Sequence, residues 1–151
     1  MNIIGLGNAG CEVAANFQNY ENYDVYFIDT KNAKKRKNFL KVSEQQTHED
    51  YEKKYKKLNL GKIKGETTLI LAGSGKISGC TLRILEQLKH IKPRILYIKA
   101  DLSTSDNTAK LRDRAVFGVL QEYARSNLLS GVYVFSNDMV ESLLDGISLT
   151  S

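Results

Sequence analysis

The chain has 151 residues, 42% of them hydrophobic and 26% charged, with a single proline and a net charge of +5. This balance excludes a disordered tail or a fibrous repeat, and no apolar run approaches the roughly 20 residues a membrane-spanning helix requires. The length fits one domain over 1–151, able to bury roughly 68–70% of the surface its unfolded form exposes.

In chain order, Asn2–Leu6 reads as a strand and Gly10–Gln18 as a helix, followed by a strand at Val25–Asp29. A basic stretch over 31–66 then holds 12 of the 22 Lys and Arg against 5 acidic residues, and is the part of the chain hardest to assign. Within it a strand is expected at Phe39–Val42 and a helix near His48–Leu58. Tyr51, Tyr55 and Leu58 follow the i, i+4, i+7 spacing of a packed helix side, which argues against an aromatic nucleic-acid surface. Further on come a strand at Thr67–Ala72, a helix at Gly79–His90 with Leu82, Ile84, Leu85 and Leu88 on one stripe, and a strand at Arg94–Lys99. A long helix around Asn107–Ser126 places Leu111, Ala115 and Val119 beside Val116, Leu120 and Tyr123. A strand at Gly131–Phe135 and a helix from Asp138, capped by Ser136 or Asn137, complete the order.

Alternation of strand and helix predicts an α/β fold of three layers, Rossmann-like, with a mostly parallel sheet, helices on both faces and any ligand at the carboxyl ends of the strands. The start, Met1-Asn2-Ile3-Ile4-Gly5, has neither a basic leader nor the apolar stretch of a secretion signal, so a cytoplasmic location is expected. Cys11 and Cys80 each follow the last glycine of a glycine-rich turn. A helix start lowers a thiol pKa, but packing of a small apolar residue between helix and sheet is the expected role.

Two glycine-rich turns carry the functional signal. Gly5-Leu6-Gly7-Asn8-Ala9-Gly10 follows the first strand, and Ala72-Gly73-Ser74-Gly75-Lys76-Ile77-Ser78-Gly79 follows the fourth. Without Cβ atoms, such turns bring backbone N–H groups against phosphate oxygens. Alone, Gly5-x-Gly7-x-x-Gly10 with Asp29 closing the next strand reads as a dinucleotide fingerprint, with the carboxylate on a ribose hydroxyl and NAD as cofactor. That reading leaves the second glycine turn and the later Ser-Asn-Asp without an explanation.

The second turn resembles the tubulin/FtsZ superfamily phosphate loop, G-G-G-T-G-[ST]-G, through Gly73, Gly75, Ser78 and Gly79. From Arg114 to Asp138 the chain resembles the same family's R-x-x-F helix, apolar strand and P-N-D, with Arg114, Phe117, Asn137 and Asp138 at matching positions. Gly146-Ile147-Ser148-Leu149 looks like its G-I-S-L. The resemblance spans nearly the whole chain outside 31–66. It implies GTP or GDP as ligand, and phosphate sites usually need Mg²⁺ as companion ion. The turn from Gly5 to Cys11, including Gly7, Asn8, Ala9 and Gly10, would cup the phosphates nearest the sugar. Gly73–Gly79 would hold the outer phosphates through backbone donors and the Ser78 hydroxyl. Arg114 would reach ribose or phosphate, Asn137 the guanine edge, and Asp29-Thr30 would lie beside the site.

The chain departs from the family pattern at Glu12, where the family has asparagine, and at Lys76 and Ile77, which replace threonine and glycine. Lys110 stands where the family has an acid, although Lys76 adds a cation suited to phosphate. Ser151 ends the sequence before the family's catalytic acidic loop. The expectation is therefore a nucleotide domain with at most weak GTPase activity and no catalytic residue of its own, serving self-association or a larger assembly. A scaffold of the same fold without nucleotide is the third alternative.

Overall fold

The computed structural model describes residues 1–31, 36–99 and 106–136. Among these residues six strands form one all-parallel sheet: β1 (Asn2–Leu6), β2 (Asp24–Asp29), β3 (Phe39–Lys41), β4 (Thr67–Ala72), β5 (Arg94–Lys99) and β6 (Gly131–Ser136), in the order β3-β2-β1-β4-β5-β6. Parallel neighbours need crossovers, and helices supply four of the longer ones: α1 (Gly7–Ala15), α2 (His48–Lys53), α3 (Thr81–Leu88) and α4 (Asn107–Arg125). A 3₁₀ turn over Lys76–Cys80 leads into α3.

Alternation along each central strand sends side chains to two cores. Ile4, Leu6, Leu69, Leu71, Ile95 and Tyr97 face one side, where Ile84, Leu85 and Leu88 of α3 and Val116 and Leu120 of α4 cover them. Ile3, Phe27, Ile70 and Ile98 face the other, against Cys11, Val13 and Ala14 of α1. The chain is thus a doubly wound α/β protein with helices on both faces.

Three departures from the sequence pattern concern the helices. Helix α1 begins at Gly7 rather than Gly10, directly on the end of β1. Helix α2 stops at Lys53, well short of Leu58. The side chain of Gln87 takes over the backbone there, accepting from Leu58 N and donating to Leu58 O at 2.8 Å, while the Tyr55 hydroxyl donates to its carbonyl oxygen. Tyr55 and Leu58 still pack on the core beside buried Tyr51, as their spacing predicts.

The third departure is the rotation of α4. Leu111, expected on the packed stripe, is 60% exposed, whereas Asp113 is buried together with Val116 and Leu120. The Tyr97 hydroxyl donates to the Asp113 carboxylate from β5, which gives this buried charge the partner it needs. Among the described residues no helix is long and apolar enough to cross a membrane. The expected helix from Asp138 lies outside the described residues, as does the Gly146–Leu149 motif.

Candidate functional site

Strands β1 and β4 are adjacent and paired in register, with Gly5 opposite Ile70, so the turns leaving them start at nearly the same height. From there the chain diverges. Helix α1 packs on one face of the sheet and α3 on the other, which makes the carboxyl ends of β1 and β4 the topological switch point of the fold. In open α/β sheets a crevice forms at this place.

On the β1 side, Gly10 lets α1 lie directly on β4, since a Cβ there would overlap the Ile70 carbonyl. Gly7 adopts φ +75, a left-handed conformation that only glycine takes at little cost. A Cβ on Gly7 would also stand 2.8 Å from Ile77 Cγ2, so the Ile77 side chain of the second turn lies against the first turn. Gly5 is buried in β1, Ala9 is half-buried and Asn8 is exposed. Asp29 is one residue beyond the Leu6–Ile28 pair, at the end of β2 beside this turn. It is 8% exposed, and its Oδ1 accepts from Thr30 N at 2.7 Å.

The second turn is tied down from within. Ser78 is buried, and its hydroxyl lies 2.9 Å from Gly73 O and 2.6 Å from Gly75 O. A hydroxyl has one proton. With that proton directed to these carbonyls, Ser78 Oγ accepts from His48 Nε2 at 3.1 Å, the imidazole then carrying its proton on that nitrogen. The Ser78 hydroxyl is thus engaged inside the turn. Gly79 sits under the His48 carbonyl, where a Cβ would overlap it, so α2 presses on the turn through backbone and side chain alike. Burial holds His48 below its usual pKa; Glu49 opposes this and the Arg112 charge reinforces it.

Side-chain caps are present at two helix starts, while α3 and the Lys89–Ile91 turn, which each continue directly from a preceding helical turn, have none. Thr47 Oγ1 caps α2 by accepting from Asp50 N at 3.1 Å, and Asp106 Oδ1 caps α4 by accepting from Ala109 N at 2.8 Å. At α1 and at the Lys76–Cys80 turn, which leave β1 and β4 directly, no side chain among the described residues caps the first amides. The first amides of a helix have no partner within it. Both helix starts lie at the switch point.

The cations distribute in a way the sequence did not indicate. Arg114 is exposed on α4 and makes no hydrogen bond or ion pair among the described residues. Its neighbour Arg112 reaches the second turn instead, donating from Nε to Ser74 O at 2.6 Å. Lys76 is exposed at the start of the 3₁₀ turn. Arg36 stacks over Phe27 at 4.8 Å and is close enough for its charge to act on Cys11. Asn137 lies outside the described residues.

Both thiols are structural. Cys11 and Cys80 are fully buried, with Cys11 Sγ 3.4 Å from Gly5 O and Cys80 Sγ 3.7 Å from Tyr51 O. Burial, with the Asp29 charge added, pushes the Cys11 thiol up to about 12, and burial alone takes Cys80 to about 12. Neither is the activated thiol that a helix start can produce.

Taken together, strand order, switch point and paired glycine turns define a doubly wound parallel α/β protein whose switch point lies at the carboxyl ends of β1 and β4. No protein-family model, curated protein or solved structure matches this chain.

Proposed function

We propose that the chain binds a purine nucleotide, GTP or GDP, in the crevice between the β1 and β4 turns, and that the nucleotide acts as a structural or assembly ligand with little hydrolysis. The observation that carries this reading is the pair of uncapped helix starts on adjacent strands, beside two helices that have side-chain caps. Helix-start amides without a side-chain cap favour an oxyanion. Lys76 and Arg112 add positive charge on the same turn. The choice of guanine rests on the tubulin/FtsZ-like motifs, and Mg²⁺ would accompany the phosphates as it commonly does.

One observation favours a second reading. Asp29 closes β2 beside Gly7 in a sheet of the order typical of dinucleotide folds, where an acid at that place grips a ribose. NAD is the ligand in that case. Thermal unfolding with GTP, GDP, ATP and NAD, each with and without Mg²⁺, separates the readings. A ligand at 100 times its dissociation constant adds about 2.7 kcal/mol, which raises the midpoint of a domain this size by several degrees. A rise with GTP or GDP supports the proposal; a rise with NAD alone transfers it to the dinucleotide reading. No rise with any ligand leaves a scaffold without nucleotide.

A further inference from the structure

Arg112 occupies an unusual position for a residue on a mostly solvent-facing helix. Its Nε–H is fixed on the Ser74 carbonyl at the tip of the second glycine turn. A guanidinium has five N–H donors in one rigid plane, and the single bond to Ser74 leaves four of them on Nη1 and Nη2. Among the described residues these have no hydrogen-bond or ion-pair partner. The neighbouring carboxylate, Asp113, accepts from the Tyr97 hydroxyl, and among the described residues no carboxylate forms an ion pair with Arg112 or Lys76. A half-buried, oriented and unneutralised fork matches the geometry of a phosphate.

Resting on the nucleotide reading above, we infer that Arg112 is the side chain that grips the terminal phosphates of a nucleoside di- or triphosphate, and so sets preference for polyphosphate over monophosphate. The second turn supplies backbone donors and Arg112 closes over them from α4. The influence of Arg112 on His48, which hydrogen-bonds Ser78 on the same turn, is consistent with a charge held at this place. The family-like Arg114 is two residues away on α4, about 200° around a helix of 3.6 residues per turn.

Equilibrium dissociation constants for GTP, GDP and GMP, measured by calorimetry at one fixed salt concentration, test the inference on wild type, Arg112→Gln, Arg112→Lys, Arg114→Gln and Lys110→Gln. Lys110→Gln removes one exposed positive charge from the same helix and serves as the charge control. Wild type is expected to bind GTP and GDP more tightly than GMP. Arg112→Gln then loses about tenfold or more for GTP, the size of a charge-assisted bond, with GMP changed less than about twofold. Arg112→Lys keeps the charge without the fork and shows the same selectivity of loss in smaller degree, which covers the case of a poorly folded glutamine variant. An equal loss for all three nucleotides makes Arg112 a brace for the turn and overturns the inference. So does a GTP-selective loss in Arg114→Gln or Lys110→Gln with none in the Arg112 variants. Absence of binding by wild type overturns the functional reading and this inference together.

Discussion

The Tyr97 hydroxyl donates to the Asp113 carboxylate beneath the second glycine turn, joining β5 to α4 where Gly73 leaves room for the phenol. This contact fixes which side of α4 faces the sheet. With Asp113 turned inward, Leu111 is left in solvent and Arg112 swings to the turn.

Removing the phenol should therefore cost stability. Tyr97→Phe leaves a 7% exposed carboxylate without its donor, at about 1–3 kcal/mol. Gly73→Ala forces a methyl group onto the Tyr97 oxygen, and overpacking of this kind costs about 1–3 kcal/mol. The double variant should be less destabilised than the sum, since one change removes the atom that the other strikes. Urea unfolding of the four proteins gives the cycle, and strict additivity would contradict the shared space.

Gly7→Ala is expected to destabilise by roughly 1–2 kcal/mol from the left-handed backbone alone, plus the contact with Ile77 Cγ2. Adding Ile77→Ala should relieve the contact and leave the backbone cost. Full recovery in the double variant would show that conformation at Gly7 carries no penalty.

His48 makes the second turn sensitive to acid. Its folded pKa lies below the ordinary 6.5 because the imidazole is buried. A depressed folded value means that the unfolded chain binds the proton first, so this contribution is present above pH 6.5 and is lost as pH falls through the folded value. His48→Gln keeps a donor for Ser78 without a titrating group. Its urea midpoint should vary less than wild type between pH 7 and pH 5; an identical pH dependence would remove His48 as the cause.

Cys11, Cys80 and Tyr55 act at the other end of the pH scale. Their folded values, each about 12, exceed the ordinary 9.0 for a thiol and 10.0 for a phenol. Raised values contribute stability that is intact below pH 9 and declines as pH rises toward 12. Cys80→Ser should flatten the alkaline limb of the stability curve. At pH 8 an aromatic disulfide reagent should leave native protein unmodified and titrate two thiols after denaturation, and rapid native labelling would contradict the buried placement.

The strand limits were legible because central parallel strands are continuous apolar runs: Asn2–Leu6, Thr67–Ala72 and Arg94–Lys99 are bounded as their composition indicates. The glycines were legible too, since close approach at Gly10 and positive φ at Gly7 tolerate no other residue well. The end of α2 was not, because Gln87, 29 residues beyond Leu58, decides it.

What the sequence determined by itself was the alternation of elements, the two glycine turns and the apolar stripes, all properties of neighbours within a few positions of one another. Tertiary structure alone decided the strand order that sets both turns at one switch point, the departure of α1 and α3 to opposite faces, and the rotation of α4. Those depend on pairings between residues far apart in the chain, such as Tyr97 with Asp113 and Arg112 with Ser74. A helix with apolar residues on more than one side has no preferred rotation until the surface it meets supplies a partner for its buried polar group.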